Sequence, residues 1–272
     1  MRSAHSPAGP LNNVGAELLG LPTGIPVTVG AADSVSSALA MGGLESGIVC
    51  ITMGSSTVIL DTVRERQLDP LMRYLLTPHV QDGAFGREMD LLATGTGYQW
   101  LSDLLRLADG MLDERAAQSS PGAGGVRFTP YLAGGEQGAL WDPALKASVS
   151  GLTLQHSACD LARGFLEGVA FEIRRCIAVL AESAPVREIV IAGRINEHRT
   201  TLQMLADILG HPVQPYPDSS AAALGAAMGA LRLLSTSQVS PVRSTWPAAV
   251  RPGPDCDQYQ HLYADYLKHT QA

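Results

Sequence analysis

PVTVGAADSVSSALAMGGLESGIVCITMGSSTVIL, residues 26–60, is the stretch on which the fold turns. Val27 to Ala31 reads as a short strand. Asp33 to Met41 then places small residues at helical spacing and halts at Gly42-Gly43, a glycine stop. Ile48 to Thr52 and Thr57 to Asp61 are β-branched runs on either side of Met53-Gly54-Ser55-Ser56, so they read as a hairpin with a tight polar tip. One strand, helix and hairpin unit therefore carries a carboxylate at a helix start and a Gly-Ser-Ser turn at a hairpin tip.

Outward from this unit the chain keeps alternating between strand and helix patterns. Residues 1–25 are rich in Pro, Gly and Asn around one apolar patch, Val14 to Leu21, and read as a linker or connecting segment before a single domain at 26–272. Downstream, signals weaken from 62 to 90, with a strand near Tyr74 to Leu76. Trp100, Leu101, Leu104, Leu105 and Leu107 give Thr96 to Leu107 an apolar helical face. Phe128 to Leu132 opens an irregular stretch that runs through Trp141-Asp142-Pro143.

Asp160 to Ala181 carries the clearest helical period, and Ser157 and Asp160 have capping-box spacing. EIVIA at Glu188 to Ala192 reads as a buried strand, Thr200 to Leu209 as a helix stopped by Gly210, and Val213 as a short strand. The Ala- and Gly-rich stretch from Ser219 to Leu234 reads as a helix suited to close packing. Alternation of this kind means an α/β layered domain.

With 272 residues the chain can bury a full core. A net charge of -7 without a Lys/Arg run argues against nucleic acid and against anionic lipid. Phosphate groups would have to be held by backbone N–H groups, helix N-termini or a metal ion. The four cysteines show no CxxC spacing and read as reduced thiols, the seven histidines show no metal-ligand pairing, and the N-terminus lacks an apolar targeting run. The expectation is a cytoplasmic protein.

Residues 26–60 resemble the opening of the C-terminal domain of FGGY carbohydrate kinases, of the xylulokinase kind. A second stretch, Pro130 to Leu180, is similar to the family's second signature through Ala147, Val149, Gly151, Leu152 and Asp160, while Gly164 and Phe165 depart from it. Tyr259, Tyr263 and Tyr266 look like the family's terminal helix. The resemblance implies the ribonuclease H-like lobe of the actin-like ATPase superfamily, a mixed five-stranded sheet with helices on both faces, whose N-terminal partner domain is absent.

The resemblance also implies a function: phosphorylation of a sugar or polyol, a pentulose such as xylulose, by Mg2+ and ATP. The partners are then the sugar, ATP, and a separate N-terminal half or a second copy of the chain. Asp33 takes the part of catalytic base, Gly54, Ser55 and Ser56 meet the phosphates, and Gly193 and Gly225 form the nucleotide side. Where the family carries a glycine-rich loop against adenosine, this chain has Gly193-Arg194-Ile195-Asn196, with His198 at a position usually held by Ser. Arg and Ile do not permit the backbone approach that Gly does. The other reading is a non-catalytic remnant or regulatory nucleotide-binding module.

Taken as residues alone, the candidates keep second readings. Asp33 is also a fitting N-cap, and Gly54-Ser55-Ser56 an ordinary hairpin tip. Gly134, Gly135 and Glu136 fit a ligand-facing loop or a surface turn equally. Trp100 and Asp103 suit core packing and a helix surface.

Overall fold

The computed structural model describes residues 2–108, 110–218, 220–234, 241 and 243–270. In chain order the elements are β1 (Pro7–Pro10), α1 (Asn13–Leu19), β2 (Pro26–Thr28), α2 (Asp33–Ala40), β3 (Ile48–Met53), β4 (Thr57–Val63), β5 (Leu75–Pro78) and β6 (Phe85–Leu91). Then follow α3 (Gly95–Leu104), α4 (Met111–Ala116), β7 (Arg127–Thr129), β8 (Ser148–Ser150), α5 (Ala158–Ala181) and β9 (Glu188–Gly193). A 3-10 turn, Arg194–Glu197, leads into α6 (Arg199–Leu209), β10 (Val213–Pro215), α7 (Ala221–Leu234) and α8 (Cys256–His269). Ser219, where the sequence reading starts the α7 helix, lies outside the described residues.

The central sheet has the order β10-β9-β3-β4-β6-β5. Strands β10, β9 and β3 run parallel, whereas β3, β4, β6 and β5 pair antiparallel. This is the mixed sheet expected, with six strands in place of five. The edge strand β5, at the position anticipated near Tyr74 to Leu76, pairs Leu75 with Glu88 and Pro78 with Phe85. Its proline sits where an edge strand tolerates a missing N–H.

Side-chain alternation explains why the strands are apolar on both sides. Val49, Ile51, Ile59, Met89, Ile189 and Ile191 face the larger core under α5, α6 and α8. Ile48, Cys50, Leu60, Val190 and Ala192 face the opposite core under α2 and α7. Burial pushes the Cys50 thiol up to about 12, and no cysteine among the described residues forms a disulfide.

Helix α5 begins with the capping box anticipated, Ser157 and Asp160 satisfying each other's end groups. Helix α8 docks on it through tyrosines at helical spacing. Tyr259 donates to Glu167 at 2.8 Å and Tyr266 donates to Glu172 at 2.8 Å, where Tyr131 donates as well. Two buried carboxylates on α5 thus become anchors because each is surrounded by donors.

Two local expectations shift. Helix α3 ends at Leu104, and Trp100 and Leu104 stand 46% and 61% exposed, so of that face Leu101 is buried in the core and Leu105 and Leu107 pack partly against it from beyond the helix end. Residues 7–28 pair β1 with β2 antiparallel around α1. Helix α1 is capped by Asn12, which accepts from Gly15 N–H, and ends at Gly20 in the left-handed region. Its Val14, Leu18 and Leu19 are exposed.

Candidate active site

The hairpin tip is fixed by its backbone. Met53 and Thr57 form the last pair of β3 and β4, leaving Gly54, Ser55 and Ser56 as the turn. Gly54 N–H is taken up by the Ser56 carbonyl at 2.8 Å, and the Ser55 carbonyl accepts from Thr96 N–H at 3.1 Å. These bonds set the Gly54-Ser55-Ser56 tip beside the N-terminus of α3.

Asp33 is not the cap residue. Ala32 holds that position, and Asp33 is the first helical residue of α2, with its carboxylate exposed and accepting from Ser34 N–H at 2.9 Å. A carboxylate in a first helical turn is favoured by the helix dipole and keeps its outer oxygen available. Ser34 next to it donates to Glu88 at 3.1 Å, and Thr77 donates to the same Glu88 oxygen at 2.8 Å.

Two residues farther along β6, Asp90 links this edge to the hairpin by accepting from the Ser56 side chain. Burial holds the Asp90 carboxyl above its ordinary range, the Ser56 hydrogen bond works against that, and the charges of Glu88 and Asp33 add to it. Asp33, Glu88, Asp90 and Ser56 thus share one electrostatic face.

On the other side of the hairpin lies a cleft of about 170 Å³. Met53, Gly54, Thr94 and Gly95 form one wall, Phe165, Leu166 and Val169 of α5 the floor, and Arg194, Ile195, His198 and Thr201 the far wall. Tyr98 and Asp113 complete it. Tyr98 donates to Asp113 at 2.7 Å, Thr201 donates to the other Asp113 oxygen, and His198 Nδ1 lies 3.5 Å from Asp113.

Gly193 closes β9 beside this cleft with φ 126°, and a Cβ there would stand 2.1 Å from the Met53 carbonyl oxygen. The non-glycine residues after it are built into the fold. Ile195 is buried in the larger core, and Asn196 donates to the carbonyls of Ile191 and Tyr216 at 3.1 and 2.9 Å.

Gly225 is outside the cleft lining. It lies where α7 crosses α2, against the Ser36 carbonyl. The structure therefore puts Gly54 in the cleft lining with Gly193 just behind it, Asp33 with Ser56 along the adjoining face, and Gly225 behind α2. Glu136, left between two readings by sequence, is buried and accepts from the N–H groups of Gln137 and Gly138. Tyr98, Asp90, Asp113 and Thr201 carried no sequence signal, because each acquires its role only through partners far away in the chain.

The chain belongs to the FGGY family of carbohydrate kinases: residues 49–234 match that family's C-terminal domain. A glycerol kinase of Alkalilimnicola ehrlichii is 31% identical over 231 residues, covering 82% of this chain and 46% of that protein. A gluconokinase of Bacillus licheniformis is 28% identical, with 82% and 46% covered. The crystal structure of xylulose kinase from Rhodospirillum rubrum superposes with a TM-score of 0.85 at 30% identity, over 99% of this chain and 56% of that one. The fold is accordingly the ribonuclease H-like one of the actin-like ATPases. The chain spans about half the length of the curated relatives it matches. Among the described residues no helix is long and apolar enough to cross a membrane.

Proposed function

We propose that this chain is the C-terminal lobe of a cytoplasmic kinase that phosphorylates a sugar or polyol, a pentulose such as xylulose, with ATP. The observation that carries the reading is the continuous face from Asp33 through Glu88 and Asp90 to Ser56, which joins a helix-borne carboxylate to a Gly-Ser-Ser hairpin. Asp33 accepts the proton of the substrate hydroxyl, its oxygen attacks the γ-phosphorus, and the bond to the leaving ADP oxygen breaks. Such a transfer is run by positioning and charge stabilisation with little covalent work for the protein.

In this reading Ser55 and Ser56 meet the phosphates, the cleft next to Gly193, lined by Gly54, Arg194 and Ile195, takes the nucleoside, and Gly225 keeps α7 against α2 behind Asp33. Mg2+ carried by the triphosphate would be held mainly by phosphate oxygens with one or two carboxylates, and the carboxylates on this face are Asp33, Glu88 and Asp90. The partner across the sugar site is an N-terminal half or a second copy of the chain.

The alternative is a nucleotide-binding module without catalysis, and Arg194 and Ile195 in place of glycines support it. ADP release over a panel of glycerol, gluconate, ribulose and xylulose, with a matching N-terminal lobe supplied, tests the proposal. Sugar-dependent ADP formation supports the kinase, and nucleotide binding without turnover supports the module.

A further inference from the structure

The cleft wall that replaces the glycine loop is organised around one side chain. Asp113 sits on α4, a six-residue helix that has no side-chain cap and starts from Gly110 in the left-handed region. A helix so short takes its stability from tertiary contacts. Its carboxylate is 6% exposed, and a charge buried to that degree is retained only where donors surround it. The donors come from two other elements, Tyr98 of α3 and Thr201 of α6, and His198 Nδ1 at the start of α6 lies 3.5 Å from the same carboxylate. All four side chains line the cleft.

Backbone pairing of Met53 with Gly193 joins the walls at the hairpin end, and Asp113 ties them at the other end by bonding Tyr98 of α3 and Thr201 of α6 through its two oxygens. We infer that Asp113 is a positioning residue for nucleotide bound in the cleft, holding Tyr98, His198 and Thr201 as its walls. The inference rests on the nucleotide reading of the cleft proposed above.

The test is a Mg-ATP titration followed by amide chemical shifts, on the wild-type chain and on Asp113→Asn, Tyr98→Phe and Tyr266→Phe. An amide offers one acceptor atom and no charge, so Asn cannot accept from Tyr98 and Thr201 on separate oxygens. Tyr98→Phe is the milder variant should Asp113→Asn fold poorly. Tyr266→Phe is the control, removing an equivalent hydroxyl-to-carboxylate bond far from the cleft.

Asp113→Asn should weaken Mg-ATP about tenfold and Tyr98→Phe about fivefold, the effect of losing one charged hydrogen bond, while Tyr266→Phe binds as wild type even where its melting temperature falls. Equal affinity in all four proteins, or the same loss in Tyr266→Phe, would overturn the positioning role while leaving the nucleotide reading intact. A wild-type chain whose cleft amides do not respond to Mg-ATP would overturn both.

Discussion

A Cβ built on Gly225 would lie 1.7 Å from the carbonyl oxygen of Ser36, so α7 and α2 meet backbone to backbone at this point. Helix α2 begins at Asp33. The packing of an alanine- and glycine-rich helix on one side of the sheet thereby fixes the carboxylate proposed as base.

Gly225→Ala should destabilise the fold by about 3 kcal/mol, because the clash is with backbone and not with a movable side chain. Chemical denaturation measures this directly. A loss under about 1 kcal/mol would mean that the helices separate without cost.

Asp33→Asn should leave the melting temperature nearly unchanged. The exposed carboxylate contributes only its interaction with the helix dipole, about 0.3–1 kcal/mol, and the amide oxygen can still accept from Ser34 N–H. With an N-terminal lobe supplied, sugar phosphorylation should fall about 10²- to 10⁴-fold, the contribution of a general base. Activity close to wild type would return Asp33 to a structural part.

Burial raises the Glu136 carboxyl to about 7, with the hydrogen bonds from Gln137 and Gly138 N–H opposing that shift and the charges of Glu172 and Asp90 adding to it. The folded state therefore keeps a proton that the unfolded chain releases near pH 4.3. Between those values the folded form binds more protons, so this contribution to stability declines as pH rises and is gone above about 7. Its full size is on the order of 3 kcal/mol. Glu136→Gln keeps the acceptor and removes the titration. Thermal melts from pH 4.5 to 8 should show the wild type losing stability relative to this variant as pH rises, and parallel curves would refute the assignment.

Restoring a family-like glycine at Ile195 should not simply open the cleft. Ile195 is 9% exposed and packed in the larger core, so Ile195→Gly leaves a cavity and a freer backbone, costing about 3–5 kcal/mol. Calorimetry of the variant decides between this and a tolerant loop.

Val14, Leu18 and Leu19 of α1 are 76%, 83% and 61% exposed and lie beside Leu21, which is also exposed. A contiguous apolar surface of this kind favours association. Light scattering of the isolated chain should show self-association that Leu18→Glu with Leu19→Lys relieves. A monomer at high concentration without hydrophobic-dye binding would show that this face is tolerated in water.

Legibility in the sequence followed the range of the forces involved. The hairpin at Gly54 to Ser56, the capping box of α5 and the EIVIA strand were readable because turn chemistry, capping and alternation act over a few residues. Asp33 was placed at its helix start, yet its role as first helical residue and not cap depends on Ala32, where no rule points. The far wall of the cleft was illegible. Asp113 meets Thr201 across 88 residues and Tyr98 across 15, and such encounters leave no local pattern. His198 stood out only as a departure from the family's Ser, with no sign of its approach to Asp113.

The two carbonyls entering the hairpin are each covered by a residue without a side chain. Gly193 lies over the Met53 oxygen and Gly95 over the Gly54 oxygen, each leaving only 2.1 Å to a would-be Cβ. A turn gripped from both flanks in this way has no room to swing. On the function proposed above, the Gly-Ser-Ser tip is the stationary bank of the cleft, an anvil whose position is fixed by the two glycines that cover it.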